Sequence, residues 1–360
     1  MRLLLALLAA TALGSALLLP GCAAPGYYLQ AASGQFEVWR RSRPIAQVRS
    51  DAGTAPALRE RLALAERIRA FASRSLALPD NGSYRKYADV RRPYVVWNVF
   101  AAREFSVRPE QWCFPVAGCV SYRGYFAHPD ALAFAAALRS RGHEVHVAGV
   151  TAYSTLGWFD DPVLNTFIHY PESELARLIF HELAHQVAWA DGDTEFNEAF
   201  AVAVELEGIA RWLAASGSAD ERETFATAQR RRSRFAALVL GARERLDRLY
   251  GSGASEHAMR KAKAEILSGL KRDYAALREG DWRGFAGYDR WFGADINNAT
   301  LASIGIYTRW VPAFRALIAR SGGDLPTFYA RVRELAADAP ETRHAALEAA
   351  LRDAAREGGG

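Results

Sequence analysis

Apolar positions set the first divisions of the chain. From Ala55 to Leu78, the residues Leu58, Leu62, Ala65 and Ile68 recur at helical spacing and fall on one side of a helix. Between Tyr94 and Phe126 the pattern changes. Val95, Val96, Trp97, Val99, Val120, Tyr122 and Tyr125 supply β-branched and aromatic residues, which predicts short strands. Pro129 to Arg141 reads as a helix, with proline in its first turn and Gly142 past its end. His143 to Tyr153 places Val145, Val147 and Thr151 at alternating positions and predicts a strand, and the run after it stops at Pro162. A helix from Pro171 to Asp191-Gly192 comes next, then a second from Phe196 to Ala215, closed by Ser216-Gly217. Helical patterning continues over Ala219 to Tyr250 and around Leu301 to Arg320. Mixed elements come first and helices last, which predicts an α+β fold with a small mixed sheet in the N-terminal half and a largely helical C-terminal half.

Composition adds that half of the 360 residues are apolar, enough for a substantial core, so disorder is not the default. The formal net charge of +5 is small for this length. Arginine runs at Arg40, Arg41 and Arg43 and at Arg230 to Arg232 with Arg234 lack any accompanying nucleic-acid motif, so no nucleic-acid partner is expected. The first residues, MRLLLALLAATALGSALLLPGC, join a positive Arg2 to an apolar run from Leu3 to Leu19, which reads as an export signal. Leu19-Pro20-Gly21-Cys22 resembles a bacterial lipobox, with cleavage before Cys22 and lipid attached to it. That resemblance implies a chain anchored by lipid in the bacterial envelope and facing the periplasm. Of the three cysteines, Cys113 and Cys119 then remain as an even pair in an oxidising compartment, and a disulfide closing a small loop is expected. The expected divisions are a signal peptide over 1–21, a mixed region over 22–165, a helix pair over 166–217, a helical region over 218–350 and a flexible tail over 351–360.

The stretch LARLIFHELAHQVAWADGDTEFNEAFAVAVELEG puts two histidines and several carboxylates into an apolar run. Burying ionisable groups is costly unless something compensates them, and a metal does so. His181 and His185 stand four apart and share a helix face, with Glu182 beside them to hold a water. Composition predicts only roughly 0.01 accidental HExxH matches in a chain of this size, so the motif is read as chemistry. A catalytic zinc needs three protein ligands and one open position. Among Asp191, Asp193, Glu195, Glu198, Glu205 and Glu207, the first three fall at the turn and read as caps. Glu198 is the favoured third ligand, and Glu205 is its rival or a group that orients a ligand histidine.

HELAH followed by Asn197-Glu198-Ala199-Phe200-Ala201 resembles the gluzincin superfamily of zinc metallopeptidases. GYYLQAASGQ (Gly26 to Gln35), WCFPVAGCVSYRGYF (Trp112 to Phe126), AYSTLGWFDDP (Ala152 to Pro162) and FHELAHQ (Phe180 to Gln186) resemble a family of bacterial lipoproteins classed as zinc aminopeptidases, over Gly26 to about Ala330. The resemblance implies a zincin-like fold and one zinc ion per chain held by His181, His185 and Glu198. It makes Glu182 the catalytic base and a peptide the substrate. The interval from His185 to Glu198 is shorter than in the better-known groups, where Glu205 stands nearer the expected distance.

Ala152 to Pro162 precedes the metal helix, where zincin-like folds border the cleft, so Gly157, Trp158, Asp160 and Asp161 are candidate substrate contacts, the aspartates for a free α-amine. The alternative for Asp160 and Asp161 is a turn before Pro162. Tyr307 and His257 are candidates for a second electrophile at the oxyanion.

Overall fold

The computed structural model describes residues 25–357 except 115–117 and 306–309. Cys22, the signal segment and Tyr307 therefore lie outside the described residues. In chain order the first half runs α1 (Pro25–Arg41), β1 (Arg43–Pro44), α2 (Ile45–Ser50), α3 (Pro56–Leu76), β2 (Lys86–Ala88), β3 (Val96–Arg103), β4 (Trp112–Phe114), β5 (Gly118–Val120), β6 (Arg123–Tyr125), α4 (His128–Arg139), β7 (His143–Val150) and β8 (Val163–Leu164). Helices make up the remainder: α5 (Glu172–Ala184), α6 (Thr194–Ser216), α7 (Ala219–Tyr250), α8 (Glu256–Glu279), α9 (Asp289–Gly293), α10 (Asn298–Gly305), α11 (Val311–Arg320), α12 (Leu325–Ala337) and α13 (Pro340–Glu357). The fold is mixed α+β, largely helical, with small sheets. The strands are divided among three sheets where one was expected. β3 is flanked by β6 and β7, both antiparallel; β2 sits between β1 and a parallel β8; β4 and β5 form a hairpin. Among the described residues, only β3 and β7 pair along eight residues each, which makes this antiparallel pair their one extended ladder.

Local chemistry explains the helix limits. Pro56 opens α3, and Ala77 in the left-handed region ends it. Ser218 and Glu221 form a reciprocal cap at the start of α7. The metal helix was expected to reach Asp191, but it stops at Ala184 with His185 as its cap. Beyond it, the Asn197 amide satisfies both the N–H and the C=O of Ala190, at 2.8 and 2.9 Å, and so replaces the helical bonds that a longer α5 would have used. The expected stretch Leu301 to Arg320 resolves into α10 and α11. α13 continues to Glu357, into the segment expected as a tail.

The main core joins buried residues from Val38 to Ala350, with Phe180, Phe200, Phe314 and Phe328 at its centre. A second cluster, including Phe235, Tyr274, Trp282 and Phe292, packs the α7–α8 hairpin. α5 lies against α6, and Gly208 on α6 marks their close approach. A Cβ there would sit 2.7 Å from the Phe180 ring and 2.8 Å from Leu76.

Candidate metal centre

α5 and α6 bring the ionisable groups together. The α6 N-terminus is fixed by Asp193, whose carboxylate accepts from the Phe196 N–H at 3.0 Å and is gripped from α13 by Arg343 at 2.7 Å. Glu198 follows in the next turn and points at α5. His181 Nε2 stands 3.2 Å from His185 Nε2 and 3.3 Å from Glu198 Oε2, and His185 Nε2 is 3.8 Å from the same oxygen. Tetrahedral zinc with bonds of ~2.0–2.1 Å places its ligand atoms about 3.3–3.4 Å apart. Two imidazole nitrogens and one carboxylate oxygen at these separations fit such an ion, and with three ligands a fourth position stays open.

Glu205 completes the arrangement from behind. Its carboxylate accepts from His181 Nδ1 at 2.9 Å and from Arg177 Nη1 at 2.7 Å, which leaves His181 Nε2 for the centre. Arg177 also binds Glu174 at 2.9 Å, and Arg232 of α7 binds Glu174 at 3.0 Å, so alternating charges tie three helices to the site. Without a metal, these charges divide the two histidines. Burial works against a proton on His181, but hydrogen bonds to Glu198 and Glu205 outweigh it and raise its pKa to about 10. Burial lowers His185 to about 4. Burial also raises Glu182 to about 7, with His181 partly opposing and Glu198 adding to the rise.

Two cavities meet at His181 and Glu182. One, of about 450 Å³, is lined by Asn98, Tyr122, Tyr153, Glu182, His185 and Glu198 among others. The other, of about 660 Å³, is mainly apolar and lined by Leu178, Val202, Leu206, Phe235 and Leu240. Val150, the last residue of the edge strand β7, borders both.

The model of the family described as "Putative aminopeptidase" matches residues 26–347. The chain belongs to this family. No curated protein and no solved structure matches it.

Within this aminopeptidase-family chain the residues singled out from sequence fall in different places. His181, Glu182, His185 and Glu198 converge on one cavity. Asp160 and Asp161 line neither cavity beside the centre. Asp160 pairs with Lys86 at 3.1 Å. Asp161 is buried: it accepts from the Thr155 N–H at 3.0 Å, and its own C=O accepts from the Tyr84 N–H at 2.6 Å. Both carboxylates are thus engaged by neighbouring parts of the chain. Gly157 adopts φ +83° beside Gln186, and Trp158 is 70 % exposed on a neighbouring surface depression. His257 is exposed in the first turn of α8. Tyr307 is outside the described residues.

The expected disulfide is present, joining Cys113 and Cys119 directly across β4 and β5. The hairpin it closes puts Phe114 and Val120 into the wall of the smaller cavity. The sequence reading gave Tyr122 no chemical role. It lines the same cavity, and burial, then the charges of Glu198 and Glu182, push its pKa up, so its hydroxyl keeps its proton. Only its place inside the CVSYRGYF segment could have drawn attention to it.

Proposed function

We propose that the chain is a zinc-dependent aminopeptidase of gluzincin type, with a zincin-like arrangement around its α5–α6 pair. It would be anchored by lipid on Cys22 in the bacterial envelope, facing the periplasm. The observation that carries the catalytic reading is the meeting of His181, His185 and Glu198 beside Glu182 on a cavity floor, in a chain of an aminopeptidase family. The anchor rests on the lipobox-like Leu19-Pro20-Gly21-Cys22.

His181, His185 and Glu198 would hold the ion. Zinc there supplies a Lewis acid for the scissile carbonyl and lowers the pKa of water toward ~7. Glu182 would take the proton of the attacking water and deliver it to the leaving amine nitrogen. Tyr122 donates its hydroxyl proton in a hydrogen bond to the oxyanion. Glu205 fixes the ring of His181, and Arg177 keeps Glu205 ionised. β7 is an edge strand, and its end nearest the cavities would offer backbone groups to an extended peptide.

The test is a peptide pool, half with free and half with acetylated N-termini, treated with the chain beginning at Ala23. Loss of single residues from the free peptides alone is expected. Glu182→Gln should keep its zinc and lose about 10²–10⁴-fold in rate, and Tyr122→Phe about 10²–10³-fold in kcat. Internal cleavage of both halves would make the chain an endopeptidase. Bound zinc with no hydrolysis of any peptide would make the centre structural.

A further inference from the structure

Helix α1 is apolar on both faces. Inward, Val38 is fully buried, Tyr27 stacks on Phe114 with ring centroids 5.3 Å apart, and Gly34 lets the Phe126 ring come closer than any side chain would permit. Outward, Leu29 is 70 %, Trp39 62 %, Phe36 57 % and Tyr28 39 % exposed. Exposed Ala32 lies between them. At 3.6 residues per turn, these five positions fall within an arc of about 100°. A surface helix ordinarily turns a polar face to water, and a contiguous apolar stripe of this kind marks an interaction site.

Charge and chain position identify the occupant. The single acid of α1, Glu37, is already bound by Arg41 at 3.0 Å and Arg92 at 2.8 Å, so no free carboxylate lies along the helix. Arg40 and Arg43 are exposed at its C-terminal end. Leucine, tyrosine, phenylalanine and tryptophan beside arginine is the composition of a helix lying in the plane of a lipid interface. Cys22 precedes Pro25 by three residues, a reach of at most about 11 Å, and the apolar run Leu3 to Leu19 stands before it. A lipid on Cys22 would thus hold α1 against the bilayer.

We propose that α1 is a membrane-contacting helix that seats Tyr28, Leu29, Phe36 and Trp39 in the headgroup–acyl boundary of a phospholipid bilayer. Its inward face belongs to the smaller cavity, which Tyr27, Ala31 and Gln35 line, and Gln35 accepts a hydrogen bond from Tyr153 there. One helix therefore carries lipid on one side and the wall of the candidate metal centre on the other. Bilayer contact would fix how the cleft faces the membrane surface. The inference does not depend on peptidase activity, and it uses the proposed anchor only for proximity.

All described contacts lie within residues 25–357, so a chain beginning at Ala23 holds the whole described fold without lipid. In such a chain Cys113 and Cys119 are bonded to each other, and Ala32→Cys supplies a single free thiol for an environment-sensitive fluorophore. The labelled chain is expected to sediment with vesicles of phosphatidylethanolamine and phosphatidylglycerol. Its emission should shift to the blue and be quenched by nitroxides on the acyl chains. Combining Leu29→Ser, Phe36→Ser and Trp39→Ser should weaken vesicle binding at least tenfold while leaving Tm unchanged. No sedimentation of the parent, or equal binding by the triple variant, overturns the proposal. A dimer in ultracentrifugation that the triple variant abolishes, with vesicles ignored, also overturns it and assigns the stripe to a second copy. Mass spectrometry of Cys22 from the cell envelope tests the anchor separately. An unmodified Cys22 with vesicle binding intact removes the anchor and leaves α1 as proposed.

Discussion

Asp161 illustrates what a single buried carboxylate does to stability. Its side chain is 3 % exposed, and burial raises its pKa from 3.8 to about 6, although the Thr155 N–H bond opposes the rise. Between those two pH values the folded chain holds a proton that the unfolded chain has released, so stability falls as pH rises through this window. The loss amounts to at most about 3 kcal/mol and is complete above pH 6. Asp161→Asn keeps an acceptor for Thr155 and removes the charge. Denaturation midpoints measured from pH 4 to 7 should decline more steeply for the parent than for the variant, because Glu182 and the two histidines titrate in both and only the Asp161 contribution is removed. At this scale the centre itself was legible, because His181, Glu182 and His185 are local to one helix and their spacing alone aligns the two imidazoles. Glu198 followed from the helix pair. Tyr122 was not legible, since it reaches the site from a different part of the chain. For Asp160 and Asp161 the sequence left both a substrate contact and a turn before Pro162 open, because neither Lys86 nor the Thr155 N–H can be seen as their partner in sequence.

Among the elements, the contact between α5 and α6 governs the distance between ligands. Gly208→Ala would push a methyl against Phe180 and Leu76, and Phe180 adjoins His181 in the chain. A cost of about 1–3 kcal/mol is expected from overpacking. Zinc affinity should fall with it, as the movement is passed to the neighbouring ligand. Chemical denaturation and competition with a chromogenic chelator would check the pair of effects; unchanged affinity alongside the stability loss would show that the helices absorb the methyl elsewhere. Long helical patterning was readable: α7 begins and ends where it was expected, at Ala219 and Tyr250. α1 was not picked out in the sequence, although its polar residues Gln30, Ser33, Glu37, Arg40 and Arg41 share one side at helical spacing. The end of α5 escaped for another reason. It is set by Asn197, which lies beyond the turn and acts through a tertiary hydrogen bond.

Across the whole molecule, two ligands lie on one side of the 185–193 turn region and the third on the other, so a bound ion would staple α5 to α6 within the main core. Chelation should therefore destabilise the entire chain. At a free zinc concentration a thousandfold above Kd the ion contributes about 4 kcal/mol. Calorimetry should show Tm falling by several degrees on metal removal and recovering on addition of zinc, for the parent and for Glu182→Gln alike. The order of mixed elements before helices was legible at this scale, because hydrophobic periodicity survives without tertiary information. The division into three sheets was not, since β1, β2 and β8 are two or three residues long and owe their pairing to the surrounding core.

The cavity also unites two bonding chemistries. Its donor set contains nitrogen and oxygen and no sulfur, whereas one wall is closed by the Cys113–Cys119 bond. A chelator addresses the floor and leaves the wall; a monothiol reductant loosens the wall and leaves the floor. The same cleft can thus be opened chemically from either of two sides, and the order in which they are undone reports which one supports its shape.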